Sequence, residues 1–180
     1  MTLGRKASII EVTATIGDSV QTFVTDRHHH NTAQSLDQKR LVKQLLEGRQ
    51  ILETINKPEY TEDGRVTPWH HHPAVVMWKG HESALLSYLT AIKAEMVHRG
   101  YKYEANWDAI LGAMTELADK DMIGAGNPSW IVNTDVYDNV IATHRASLYR
   151  KDSEHYAEWC DEHGDVCCTA CNYYWPGHVA

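Results

Sequence analysis

The chain has 180 residues, 43% of them hydrophobic and 23% charged, with a formal net charge of −7, enough for one domain with a real core. No apolar run approaches the roughly 20 residues that cross a bilayer, and the opening MTLGRKASIIEVTATIGDS breaks with polar and charged residues where a signal peptide needs an apolar stretch. The expected setting is therefore a cytoplasm, with no membrane partner, and the acid excess weighs against a general nucleic-acid binder because phosphate affinity comes from Lys and Arg.

Residues 8–24 alternate, with Ile10, Val12, Ala14 and Ile16 on one face and Glu11, Thr13 and Thr15 on the other. Gly17-Asp18 supplies a turn and VQTFV resumes the pattern, which predicts a β-hairpin. TDRHHHNTAQ reads as a loop. Ser35 and Gln38 form a capping-box pattern that opens a helix running to about Asn56. KPEYTEDGRVTPW, with two prolines and a glycine, is a loop. A second helix is expected from near Pro73 to Gly100 with a bend at Gly80, and it carries Leu85, Leu89, Ile92 and Met96 on one face. A third follows at about 106–118, with Trp107, Ile110, Leu111, Met114 and Leu117. GAGNPSW is a loop, a fourth helix follows Thr134 to about Arg150, and a short fifth starts at Asp152. The remainder, CDEHGDVCCTACNYYWPGHVA, is irregular.

The sum is a mainly α single domain, 1–180. It comprises an N-terminal β-hairpin extension (1–24), a compact helical core of about four to five helices (31–156) and an irregular Cys-rich, aromatic tail (157–180). Charge is uneven along it. Asp152, Glu154, Glu158, Asp161, Glu162 and Asp165 follow one another with no Lys or Arg between them, whereas HRASLYRK (144–151) is basic. A global acid excess can thus coexist with a basic groove.

On the first long helix, Leu41, Leu45, Leu52 and Ile55 make an apolar stripe. Arg40, Lys43 or Gln44, and Glu47 fall on an adjoining face at spacings of three and four. Pattern alone gives a solvated face with Lys43–Glu47 as an i,i+4 pair, contributing about 0.2–0.5 kcal/mol. The twelve histidines include two triplets, His28–His30 and His70–His72. Adjacent histidines cannot all reach one metal, and a metal-dependent enzyme built on them is a minor reading. Cys160-x2-His163 and Cys168-x2-Cys171 have the spacing of a tetrahedral zinc knuckle, with Cys167 as an alternative ligand. A structural zinc is the expected cofactor if there is one, and catalysis requires none.

The blocks QTFV (21–24), LDQKRLVKQLLEGRQIL (36–52), HHPAVVMWKGHESALLSYLTAI (71–92), HRGY (98–101), PSW (128–130), HRASLYRKDSEHY (144–156) and YYWP (173–176) stand in the order found in one family. The chain resembles the pyrimidine-dimer DNA glycosylases, and is most similar to their bacterial and phage relatives. The resemblance implies a helical core, double-stranded DNA carrying a damaged or modified base as partner, cleavage of a base–sugar bond, and an AP-lyase step in some members.

It also implies that Glu47 is the catalytic carboxylate, able to stabilise an oxocarbenium-like sugar and to move protons. Lys39, Arg40, Lys43, Lys79, Arg145, Arg150 and Lys151 are then DNA contacts. His71 and His72 line the groove, and Trp78, Tyr174 and Trp175 stack or wedge. The family nucleophile is an N-terminal α-amine, suited by a pKa near 7.7–8.0. The matching block here starts about 20 residues late. Three routes stay open: the Thr2 amine brought back by the hairpin, a lysine such as Lys39 or Lys43, or water activated by Glu47. A start at Val20 is a further variant that the hairpin pattern opposes. The rival function is a non-catalytic DNA- or protein-binding relative.

Overall fold

The structure, a computed structural model, describes residues 21–162 and 173–176. Among these lie eight helices: α1 (His29–Ser35), α2 (Gln38–Ile55), α3 (Pro73–Trp78), α4 (Glu82–His98), α5 (Glu104–Asp119), α6 (Ser129–Val132), α7 (Thr134–Lys151) and α8 (Ala157–Glu162). The long helix α2 packs on α3, α4 and α5, while α1 lies along α4. The stripe of Leu41, Leu45, Leu52 and Ile55 is buried, as are Leu85, Leu89, Ile92 and Met96 of α4. Where α2 meets α4, Gly48 is a spacer: a Cβ there would lie 2.3 Å from Leu89 Cδ2.

Several boundaries differ from the sequence expectation, each for a local reason. The cap of α2 is Asp37, whose carboxylate accepts from Arg40 N at 3.1 Å. Ser35 instead ends α1, a helix in a stretch expected to be a loop. Tertiary contact supplies what the local sequence lacks. The Arg99 guanidinium donates at 2.8 Å to the carbonyls of both Gln34 and Leu36, which the last turn of α1 leaves open. The expected second helix is two helices. Gly80, at φ +81, breaks the chain, and the buried Glu82 carboxylate accepts from Gly80 N and Gly124 N, both at 2.7 Å. A fully satisfied buried carboxylate holds that corner open. The fifth helix starts at Ala157 rather than Asp152.

The expected N-terminal β-hairpin falls mostly outside the described residues. Residues 1–20 lie outside the described residues, and with them Thr2. Residues 21–25 form neither helix nor strand. Among the described residues the only β pairing is one isolated bridge, Tyr60 with Val66. The residues QTFV therefore belong to a buried segment without helix or strand, for the reason given next.

Candidate functional site

Residues 21–25 are all buried, and among the described residues no neighbouring strand takes up their backbone groups. Side chains from the surrounding helices do so. Gln44 Oε1 accepts from Phe23 N at 2.8 Å, and Gln44 Nε2 donates to Gln21 O at 3.2 Å. The Tyr88 hydroxyl lies 2.9 Å from Phe23 O and 2.7 Å from Gln44 Oε1, with one proton to give. His144 Nδ1 accepts from Val24 N at 2.9 Å, and Arg145 Nε donates to Thr25 O at 2.7 Å. Thr32 Oγ1 accepts from Thr25 N at 3.2 Å, and Trp78 Nε1 donates to Thr22 Oγ1 at 2.8 Å. Helices α1, α2, α3, α4 and α7 thus fix one short segment. Leaving those groups unpaired would cost about 1–3 kcal/mol each.

That segment delivers a backbone nitrogen to a carboxylate. Glu47 is only 2% exposed. Its carboxylate accepts from Gln21 N–H, from Gln44 Nε2 at 3.0 Å, and from Lys43 Nζ at 3.2 Å. Burial pushes its pKa up from 4.5 to about 7, against the charge and hydrogen bond of Lys43 and the donors Gln21 and Gln44, which pull it down. Near neutral pH the group therefore exists in both protonation states. Gln44 cannot rotate its amide to escape, because its oxygen is held by Phe23 and Tyr88. Its N–H therefore faces Glu47.

Aromatic side chains close the site. The Tyr173 hydroxyl bonds Ser147 Oγ on α7, and Tyr174 N donates to Thr143 Oγ1 at 3.1 Å, which seats the terminal aromatics along that helix. His144, wholly buried, is pushed down to about 3 and stays neutral. Since its Nδ1 accepts, its proton sits on Nε2, which finds no acceptor among the described residues. The rings of Tyr173 and Trp175 stand edge-on to it at 5.6 and 6.0 Å.

The structure separates the other expected residues into groups. Lys39, Lys43 and Glu47 repeat every four residues along α2, with Lys39 and Lys43 exposed, and Arg150 and Lys151 are exposed at the end of α7. These two helix ends converge, since Arg40 Nη2 donates to Lys151 O at 3.2 Å. Arg40 itself lies 3.2 Å from Asp37 and 3.5 Å from Asp152, largely covered. Arg145 holds Thr25 and stacks over Trp159 at 5.5 Å. His72 caps α3 by accepting from Ala74 N, and its ring meets Trp175 at 6.3 Å. His71 and Lys79 both engage Glu59 at the surface, at 2.9 and 2.7 Å. Trp78 is wholly buried, its indole spent on Thr22. Tyr174 is exposed. His163, Cys168 and Cys171 lie outside the described residues, and Cys160 is placed only by its position in α8. Among the described residues no group of three or more His, Cys, Asp or Glu is arranged to hold a metal ion, and none of the helices is long and apolar enough to cross a membrane.

Gln44, Tyr88 and His144 escaped the sequence reading as site residues. The available signal was a glutamine, fully buried in the structure, inside the Leu41–Leu45–Gly48 stripe of α2. A polar residue on a core face requires a partner.

The pyrimidine dimer DNA glycosylase family model matches residues 20–109, half of the chain. The match opens beside Gln21 and includes Lys43, Gln44, Glu47, His72, Trp78 and Tyr88. No curated protein and no solved structure matches the chain. A helical core built around a buried carboxylate, together with a match over that same stretch, places this chain in the pyrimidine dimer DNA glycosylase family.

Proposed function

We propose that the protein is a DNA N-glycosylase acting on duplex DNA with a damaged or modified base, and that Glu47 is its catalytic carboxylate. One observation carries the reading: a carboxylate 2% exposed, with a pKa near 7, touched by a lysine and by the backbone nitrogen of a buried segment held by five helices. A structural ion pair has no need of that scaffolding. As the base–sugar bond breaks, positive charge grows at C1′, and an ionised carboxylate beside it lowers the barrier. In the water route, water oxygen bonds C1′, its proton passes to Glu47, and the base leaves with the bonding electrons.

For an AP-lyase step the nucleophile is an amine. Gln21 N marks where an α-amine would meet Glu47, and Lys43 Nζ is the nearest side-chain amine shown, at 3.2 Å. Thr2 remains the third source and lies outside the described residues. DNA approaches along Lys39, Lys43, Arg150 and Lys151, with His72, Tyr174 and Trp175 at the opening. Arg40, Arg145 and Lys79 act there through the contacts they already make. A structural zinc in the tail is read by metal analysis of the purified protein.

The test incubates wild type and Glu47→Gln with duplexes carrying pyrimidine dimers, alkylated bases, modified pyrimidines or abasic sites, with borohydride present and absent. Turnover lost in the variant supports the reading, and a trapped adduct adds the amine route. Tight binding without turnover in the wild type refutes catalysis.

A further inference from the structure

Loop 57–72 carries an indole in an unfavourable place. Trp69 is 51% exposed and has φ +76, a left-handed conformation that bulky side chains rarely adopt. The turn that imposes it is bonded on both sides, His70 N to Thr67 O at 3.3 Å and His72 N to Trp69 O at 2.9 Å. Strain of this kind persists where surrounding contacts enforce it, and it gathers at functional positions.

The ring is the outer end of a continuous aromatic row. Trp69 leans on His72 at 5.3 Å, His72 meets Trp175 at 6.3 Å, and Trp175 meets Tyr173 at 5.6 Å. Tyr173 is close enough to Glu47 to feel its charge. Arg65 of this loop is paired with Asp63, and Lys79, at the end of α3, with Glu59, both at 2.7 Å. What Trp69 offers to a partner beside the site is an aromatic face.

We propose that Trp69 stacks on a nucleobase unstacked beside the lesion, and so is the residue by which this protein tells distorted duplex from regular duplex. The inference rests on the DNA glycosylase reading and adds a binding contact to it. An intact duplex has no free base face to offer the indole, whereas a duplex opened at a lesion does. Base–aromatic stacking supports a loss of about tenfold or more when the ring is removed.

The experiment compares wild type, Trp69→Gly and Trp69→Phe as full chains. Each binds a duplex with a tetrahydrofuran abasic site and 2-aminopurine opposite it, and the unmodified duplex. Glycine accepts φ +76 without strain, so Trp69→Gly is expected to melt at the wild-type temperature or above it. It should lose about tenfold in affinity for the abasic duplex and change affinity for regular duplex less than twofold. The 2-aminopurine quenching seen on wild-type binding should vanish, and Trp69→Phe should restore most of both signals. If wild type discriminates and Trp69→Gly discriminates equally, the inference alone falls. Equal loss on both duplexes overturns it too, as does a lower melting temperature with discrimination intact. A wild type that cannot tell the duplexes apart overturns the inference together with the lesion-binding part of the reading, while dimer turnover by that wild type would leave the glycosylase reading standing.

Discussion

Glu47 and Glu59 both sit beside a lysine, at 3.2 and 2.7 Å, yet their carboxyl groups move in opposite directions. Glu59, at the surface, is drawn down to about 2 by hydrogen bonds from Lys79 and His71 and by the Lys79 charge. Glu47, inside α2's packing face, climbs to about 7 because losing water outweighs Lys43 and two further donors. A lysine neighbour therefore does not mark a working carboxylate. Depth does, because only a desolvated group titrates where it can both accept and return a proton near neutral pH.

The sharpest break in that comparison is Glu47→Gln. It keeps the size of the side chain and removes the charge, and turnover on dimer or abasic duplex should fall about 10²–10⁴-fold. A residual rate above a tenth of wild type would make Glu47 as ordinary as Glu59. The same variant reports on stability with a defined sign. A carboxyl whose folded pKa is raised is stabilising while protonated. The contribution of Glu47 should therefore be full below about pH 4.5 and be lost as pH rises through about 7. Against Glu47→Gln the loss should total about 3 kcal/mol. Urea unfolding of both proteins at intervals from pH 4 to 8.5 measures it, and parallel curves would remove burial as the cause.

The interior region was half legible in the sequence. The apolar stripes of α2 and α4 announced the core, because a 3.6-residue period survives any detail of packing. Residues 21–24, expected as part of a strand, form none, since alternation does not say what holds the backbone. Its partners, Gln44, Tyr88, His144 and Arg145, come from residues up to 120 positions away, beyond the reach of local pattern. Glu47 itself resembled a surface charge because Lys43, at i−4, is what a solvated helix face would also show. The surface carboxylate was no easier: nothing near Glu59 in sequence signals Lys79, 20 residues on. The burial of Trp78 depended on Thr22, which only the fold supplies.

Lys43→Met sharpens the comparison at lower amplitude. Lys43 supplies the largest of the pulls that hold Glu47 down, so its removal moves the acid limb of the activity profile above pH 7. A rise of about one pKa unit would cut the ionised fraction at pH 7, and with it the rate, about fivefold, with recovery as pH rises toward 9. A rate that stays low at every pH, with borohydride trapping abolished, would instead make Lys43 the nucleophile.

Lys79→Met is the matched change at the surface and should do least. Exposed pairs contribute about 0.2–1 kcal/mol because solvent screens them and two long side chains must be ordered. The urea unfolding midpoint should therefore barely move, while the Glu59 carboxyl rises from about 2 toward its ordinary value in an NMR titration. The activity midpoint near pH 7 should stay in place, because Glu59 shares no contact with Glu47's network of Lys43, Gln44 and Gln21. A midpoint that moved with Lys79 would mean that the surface pair and the buried carboxylate titrate as one system. Depth alone would then no longer explain why Glu47 is the one held near neutrality.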